Sequence, residues 1–159
     1  MSEDARFEDG DEHPLALKAQ DTEDLQVISA LVQDAVLPAP EMRFDAHARR
    51  FAMLINRFRW EDAEKAQRVG RPVERVQAVL VIDDVLHVSS NGIDKRDPDL
   101  VLSLLAVGFE PGKDGTGRIE VTFAGDGAIA LDVECINVTL KDVTRPYKAP
   151  SRKAPSHEV

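Results

Sequence analysis

From Gly117 to Val143 the chain alternates apolar and polar residues, and this period of two is what most limits the folds open to it. Ile119, Val121 and Phe123 alternate with Arg118, Glu120 and Thr122. Successive strand side chains point to opposite faces, so such a run builds a half-buried strand and not a helix. Gly125-Asp126-Gly127 follows and supplies the positive φ angles of a tight hairpin. The returning run alternates Ile129, Leu131, Val133 and Cys135, then changes phase to Ile136, Val138 and Leu140. A phase change in mid-run predicts a bulge, or a bent strand passing between two layers.

The same period recurs upstream. "EMRFD" and "RRFAMLINRFRW" read as two strands joined through "AHA", and "RVQAVLVIDD" and "VLHVSSNG" as two more, kinked at Asp83-Asp84. "DLVLSLLAVGFE" carries a helix-start signal at Asp97-Pro98, yet its Val/Leu-rich run ends in the turn Glu110-Pro111-Gly112, which favours a buried strand. One segment has the helical period. In "DTEDLQVISALVQDA", Leu25, Ile28, Leu31, Val32 and Ala35 share a face, Asp21 or Thr22 caps the start, and Pro38 and Pro40 are expected to end it. The expected fold is α+β and mainly antiparallel. It has one helix near the N-terminus and about seven strands in a curved sheet or partly open barrel.

The 159 residues suit one domain with its own core. Residues 1–12 hold six acidic residues against one arginine, and residues 144–159 hold four Lys/Arg against one Glu. These are expected to be an acidic disordered tail and a basic proline-containing tail around a domain spanning 13–143. The net charge of −9 disfavours generic nucleic-acid binding, because phosphate repels such a chain at long range. The lone Cys135 rules out an internal disulfide and a Cys-only metal site. The acidic start lacks the apolar stretch of a secretory signal, and no run reaches the ~20 apolar residues of a spanning helix, so a cytoplasmic protein is expected.

"DLQVISALVQDAV", "RRFAMLINRFRWE" and "GDGAIALDVECI", in that order, resemble an alphaproteobacterial family catalogued as domain of unknown function 2948. The resemblance runs from about Leu15 to Val143. It implies a bacterial cytoplasmic setting and carries no catalytic residue, cofactor or activity onto this sequence.

The chemistry-bearing candidates are few. Between Arg43 and Arg75 lies a basic island of nine Lys/Arg against five Asp/Glu. On a regular strand, Ala52, Leu54, Asn56, Phe58 and Trp60 share one face and Phe51, Met53, Ile55, Arg57 and Arg59 the other. Phe58 and Trp60 are expected to stay with the core while Arg57 and Arg59 emerge together. Two guanidinium groups about 7 Å apart, joined by Arg43 from the neighbouring strand, suit an anionic partner or ligand. The plainer alternative is a solvent-facing strand end paired with Glu61, Asp62 or cross-strand acids. Trp60 is a core or rim residue, or a stacking platform.

His13, His47, His87 and His157 do not converge in sequence, and no metal site is expected. Cys135, in phase with Leu131 and Val133, is expected to be a buried inert thiol. Asp94, Asp97 and Asp99 lack the Glu and spacing of a calcium loop, and the Gly-rich "GKDGTG" precedes a strand, where no helix N-terminus waits for phosphate. The sequence therefore favours a small non-enzymatic module, with no cofactor, that binds an unknown protein partner or itself through a sheet surface, away from nucleic acid and membrane. The alternative is an enzyme or sensor that binds a phosphorylated metabolite or nucleotide through the Arg pair.

Overall fold

The computed structural model describes residues 14–94 and 96–144, and the backbone of 147–148. The expected acidic tail, residues 1–12, lies outside the described residues, as does nearly all of 144–159. Among the described residues there are ten strands of three or more residues, one two-residue strand and two α-helices, where the sequence anticipates about seven strands and one helix.

In chain order the strands are β1 Ala16–Ala19, β2 Val36–Pro38, β3 Met42–Asp45, β4 Arg50–Phe58, β5 Glu74–Ile82, β6 Val85–Asn91, β7 Val101–Pro111, β8 Gly117–Phe123, β9 Ala128–Val133, β10 Val138–Asp142 and β11 Tyr147–Lys148. The helices are α1 Thr22–Leu31 and α2 Ala63–Arg68. The sheet order is β1-β10-β5-β4-β2-β7-β8-β9-β6, with β3 on β4 and β11 on β5. Every pairing is antiparallel.

Two halves share one strand. The first residues of β7 pair with β2, and from Leu104 onward β7 pairs with β8. Helix α1 packs on β7 and also on β1, strands that stand far apart in the order. The sheet must therefore curl around the helix. Leu25, Ile28 and Val32 of the helix face enter the same core as Met53, Leu80 and Leu140 of the first half and Val121, Phe123 and Leu131 of the second.

Local chemistry explains the helix start. Asp21 caps α1 by accepting the Asp24 backbone N–H at 2.8 Å, and Glu23 and Asp24 lie in the first turn, where the helix dipole favours negative charge. The helix ends earlier than the prolines require. The Asp34 N–H donates to the Leu104 carbonyl, and Ala35 accepts from the Leu104 N–H, each at 2.8 Å. Pairing with β7 captures residues 34 to 36 before another helical turn forms. Asp34 bends the chain there with a φ of 65°.

The phase change after Val133 is a change of layer. β9 pairs with β8 and β6, whereas β10 pairs with β1 and β5 in the other half. Asp83-Asp84 is the matching passage from β5 to β6, with Asp84 at a φ of 60°. Asp97-Pro98 starts no helix, and Val101–Pro111 is the strand that its composition favours.

Candidate functional site

Phe51, Met53 and Ile55 point into the core, and Arg57 continues that inward series. The expected outward emergence of Arg57 and Arg59 is thus reversed. Their side chains are 0% and 3% exposed. The parity is right and Phe58 is buried as expected, but the face that carries the arginine is buried as well.

Arg57 survives there because its charge is answered. It donates to both oxygens of Asp142 at 3.0 Å, to Glu61 Oε1 and Oε2 at 2.9 and 2.7 Å, and to the Phe58 carbonyl at 3.0 Å. An arginine has five N–H donors, so none remains for a ligand. Asp142 is itself buried on β10, and its Oδ2 also accepts the Leu15 N–H at 2.9 Å. Burial works against the charge of Glu61, but the hydrogen bonds and positive charge of Arg57 outweigh it and hold the carboxyl below its ordinary value. Burial likewise opposes the Arg57 charge, and the same two carboxylates overcome it and raise its affinity for the proton.

Arg59 lies past the end of β4, just before the 3-10 turn Trp60–Asp62. It donates to Glu74 at 2.7 Å, with Asp62 at 3.5 Å. Arg71 meets Asp62 at 2.6 Å. These pairs make an internal charge network where β4, β5, β10 and α2 meet. Trp60 is a rim residue: its ring lies 5.5 Å from that of Phe58, and its Nε1 donates to the Gln33 carbonyl at 2.8 Å, so it ties this corner to the chain leaving α1.

Helix α2 is absent from the sequence reading, though its signal is present. Ala63-Glu64-Lys65-Ala66-Gln67-Arg68 are good helix formers, and Gly70 follows with a φ of 72°. Gly70 N–H bonds to Gln67 O and Arg71 N–H to Ala66 O, the paired closure of a Schellman end.

Cys135 is exposed, contrary to expectation, because the change of layer after Val133 ends the alternation before reaching it. Partial desolvation and the hydrogen bond to Asp84 push its thiol up, away from the nucleophilic thiolate. Asp84 is held low by Asn137, whose Nδ2 donates to it at 3.0 Å, and by Cys135. Among the described residues no cluster of three or more His, Cys, Asp or Glu has a metal-binding arrangement. No helix among the described residues is long and apolar enough to cross a membrane.

The expected exposed cation that does face solvent is Arg43. It belongs to a row that the strand register draws across the outer face of the first half: Lys18, Thr139, Val81, Ala52, Arg43. The next row is Ala16, Lys141, Val79, Leu54. Ala52, Leu54, Val79 and Val81 are partly accessible, whereas their strand neighbours Met53, Leu80 and Ile82 are fully buried. The rows contain no carboxylate, and Lys18, Arg43 and Lys141 make no ion pair among the described residues. Surface arginines nearby are paired, Arg49 with Glu134 and Arg50 with Asp83. Four strand spacings separate Lys18 from Arg43, about 19 Å.

β2 is paired in register with β4 only at Val36–Asn56. Beside the rows, where it splays away, a cleft of about 330 Å³ opens between Val36, Pro38, Leu54, Asn56, Gln77 and Val101, with Glu41 on its wall. The class of molecule is thus a helix-filled, curled antiparallel sheet with a locked charge network at one end and a cation-rimmed outer face. The chain belongs to the family described as protein of unknown function (DUF2948), whose model matches residues 15–157. No curated protein and no solved structure matches it.

Proposed function

We propose that the chain is a non-enzymatic protein-binding module that receives an acidic polypeptide segment on the outer face of β10, β5 and β4. An apolar side chain of that segment enters the cleft beside β2. The observation that carries this reading is the pair of carboxylate-free rows, with Ala52, Leu54, Val79 and Val81 between the unpaired cations Lys18, Lys141 and Arg43. A partly apolar strip between surface cations on a chain of net charge −9 gains both desolvation and complementary charge from an acidic, apolar-anchored partner. Arg57 and Arg59 support the scaffold and stay out of the contact. Arg57, with all five N–H donors taken, has none left for a phosphorylated metabolite.

A peptide of glutamates around a single leucine, titrated into isotope-labelled protein and followed by amide chemical shifts, tests this. The shifts are expected at Ala52, Leu54, Val79 and Val81, and they should vanish in Lys18→Glu/Arg43→Glu/Lys141→Glu. Equal binding of the glutamine version of the peptide, shifts confined to another face, or retention in the variant would each overturn the reading. So would tighter binding of an oligonucleotide to the same rows.

A further inference from the structure

We propose that the chain forms a two-fold dimer through antiparallel pairing of β6 with β6 of a second copy. This inference uses a strand outside the docking face and stands independently of it. β6 is last in the sheet order and pairs on one side only, with β9. Its register there is regular from His87 opposite Asp132 to Asn91 opposite Ala128, after an irregularity between Val85 and His87. Among the described residues no backbone hydrogen bond reaches the other side of His87 to Asn91. That side presents a row of main-chain donors and acceptors.

Protein edges are ordinarily protected from such pairing by charge, proline, brevity or a bulge. Two other edges follow that rule. β1 has four residues and carries Lys18, and β3 has four residues and carries Arg43 and Asp45. β6 has seven residues, Val-Leu-His-Val-Ser-Ser-Asn, with no formal charge and no proline. Its one irregularity sits at the start and leaves five consecutive residues free of it.

The occupant follows from charge and symmetry. Two copies that each carry −9 repel one another, and their contact belongs where each is uncharged. A two-fold axis through Ser89 sets Ser89 against Ser89 of the second copy, Val88 against Ser90, and His87 against Asn91. No like charges then face each other across the junction. Serines 89 and 90 leave the backbone open to approach. The pairing would join the β7-β8-β9-β6 half of each copy into one continuous eight-stranded sheet. Leu86, 50% exposed on this strand, would lie at the rim of the junction.

Sedimentation velocity of the full chain over a wide concentration range tests the idea. Wild type is expected to show a monomer–dimer equilibrium. Ser89→Lys, which brings two ammonium groups together at the axis, should weaken the dimer ~tenfold or more. Ser89→Glu should do the same, and mixing the two variants should restore association. In a Cys135→Ser background, Ser89→Cys should cross-link on oxidation, while Ser90→Cys should not. A strictly monomeric wild type, a dimer indifferent to Ser89→Lys, or equal cross-linking at both positions would overturn the proposal.

Discussion

Arg57 ends the inward series Phe51, Met53, Ile55 with a charge, and at this residue the sequence is most easily misread. Strand parity was legible, since the residues alternate as written. Which face is buried was not, because both Phe51–Ile55 and Ala52–Leu54 are apolar, and an arginine is ordinarily taken as a mark of solvent. The deciding partner, Asp142, lies 85 positions away on β10, beyond any local pattern. The pairing of Arg57 with Glu61 is the part that spacing anticipated. Removing the guanidinium strands two carboxylates around a dry site, so Arg57→Ala is expected to cost about 3–5 kcal/mol in urea unfolding. Arg57→Lys should recover only part of this, because an ammonium cannot fork to both acids. A loss below about 1 kcal/mol, the value for exposed pairs, would mean that the network is solvated.

Among the elements, those with a period-two run were legible: β3, β4, β5, β6, β7, and the β8–β9 hairpin with its Gly-Asp-Gly turn. The short strands β1 and β2 were not, because Ala-Leu-Lys-Ala and Val-Leu-Pro do not alternate apolar with polar residues as Met-Arg-Phe-Asp of β3 does. They exist through their neighbours, β1 on β10 and β2 between β4 and β7. The outer-face rows could not be read either, since a row crosses five strands whose register no single stretch encodes. The β7–β8 hairpin carries its own test. A Cβ added at Gly117 would lie 2.4 Å from the Phe109 ring and 2.5 Å from the Glu110 carbonyl oxygen. The ring can swing aside, but the carbonyl belongs to the strand that pairs with β8, so relief requires the hairpin itself to shift. Gly117→Ala is expected to destabilise by about 1–3 kcal/mol, read as a lower urea midpoint at unchanged m-value. A neutral effect would show that the hairpin end is softer than its packing.

At the scale of the whole molecule, the two halves of the sheet are not separable units. β7 is common to both, helix α1 rests on β1 and β7 together, and one core cluster holds side chains from each half. The chain also closes on itself, with Ala16 opposite Lys141 across nearly its whole described length. Opening either half therefore strips the helix of its second support and exposes core side chains of the other. Trp60, the sole tryptophan, reports on the corner where β4 ends near α1, while far-UV circular dichroism sees the strands of both halves. Heat or urea should give one transition, with fluorescence and dichroism midpoints coinciding. Refolding should fall in the slow range of milliseconds to seconds typical of non-local strand pairing. Dichroism lost ahead of fluorescence would mean that β7-β8-β9-β6 melts alone, and the curled sheet would then be two cooperative units sharing a strand.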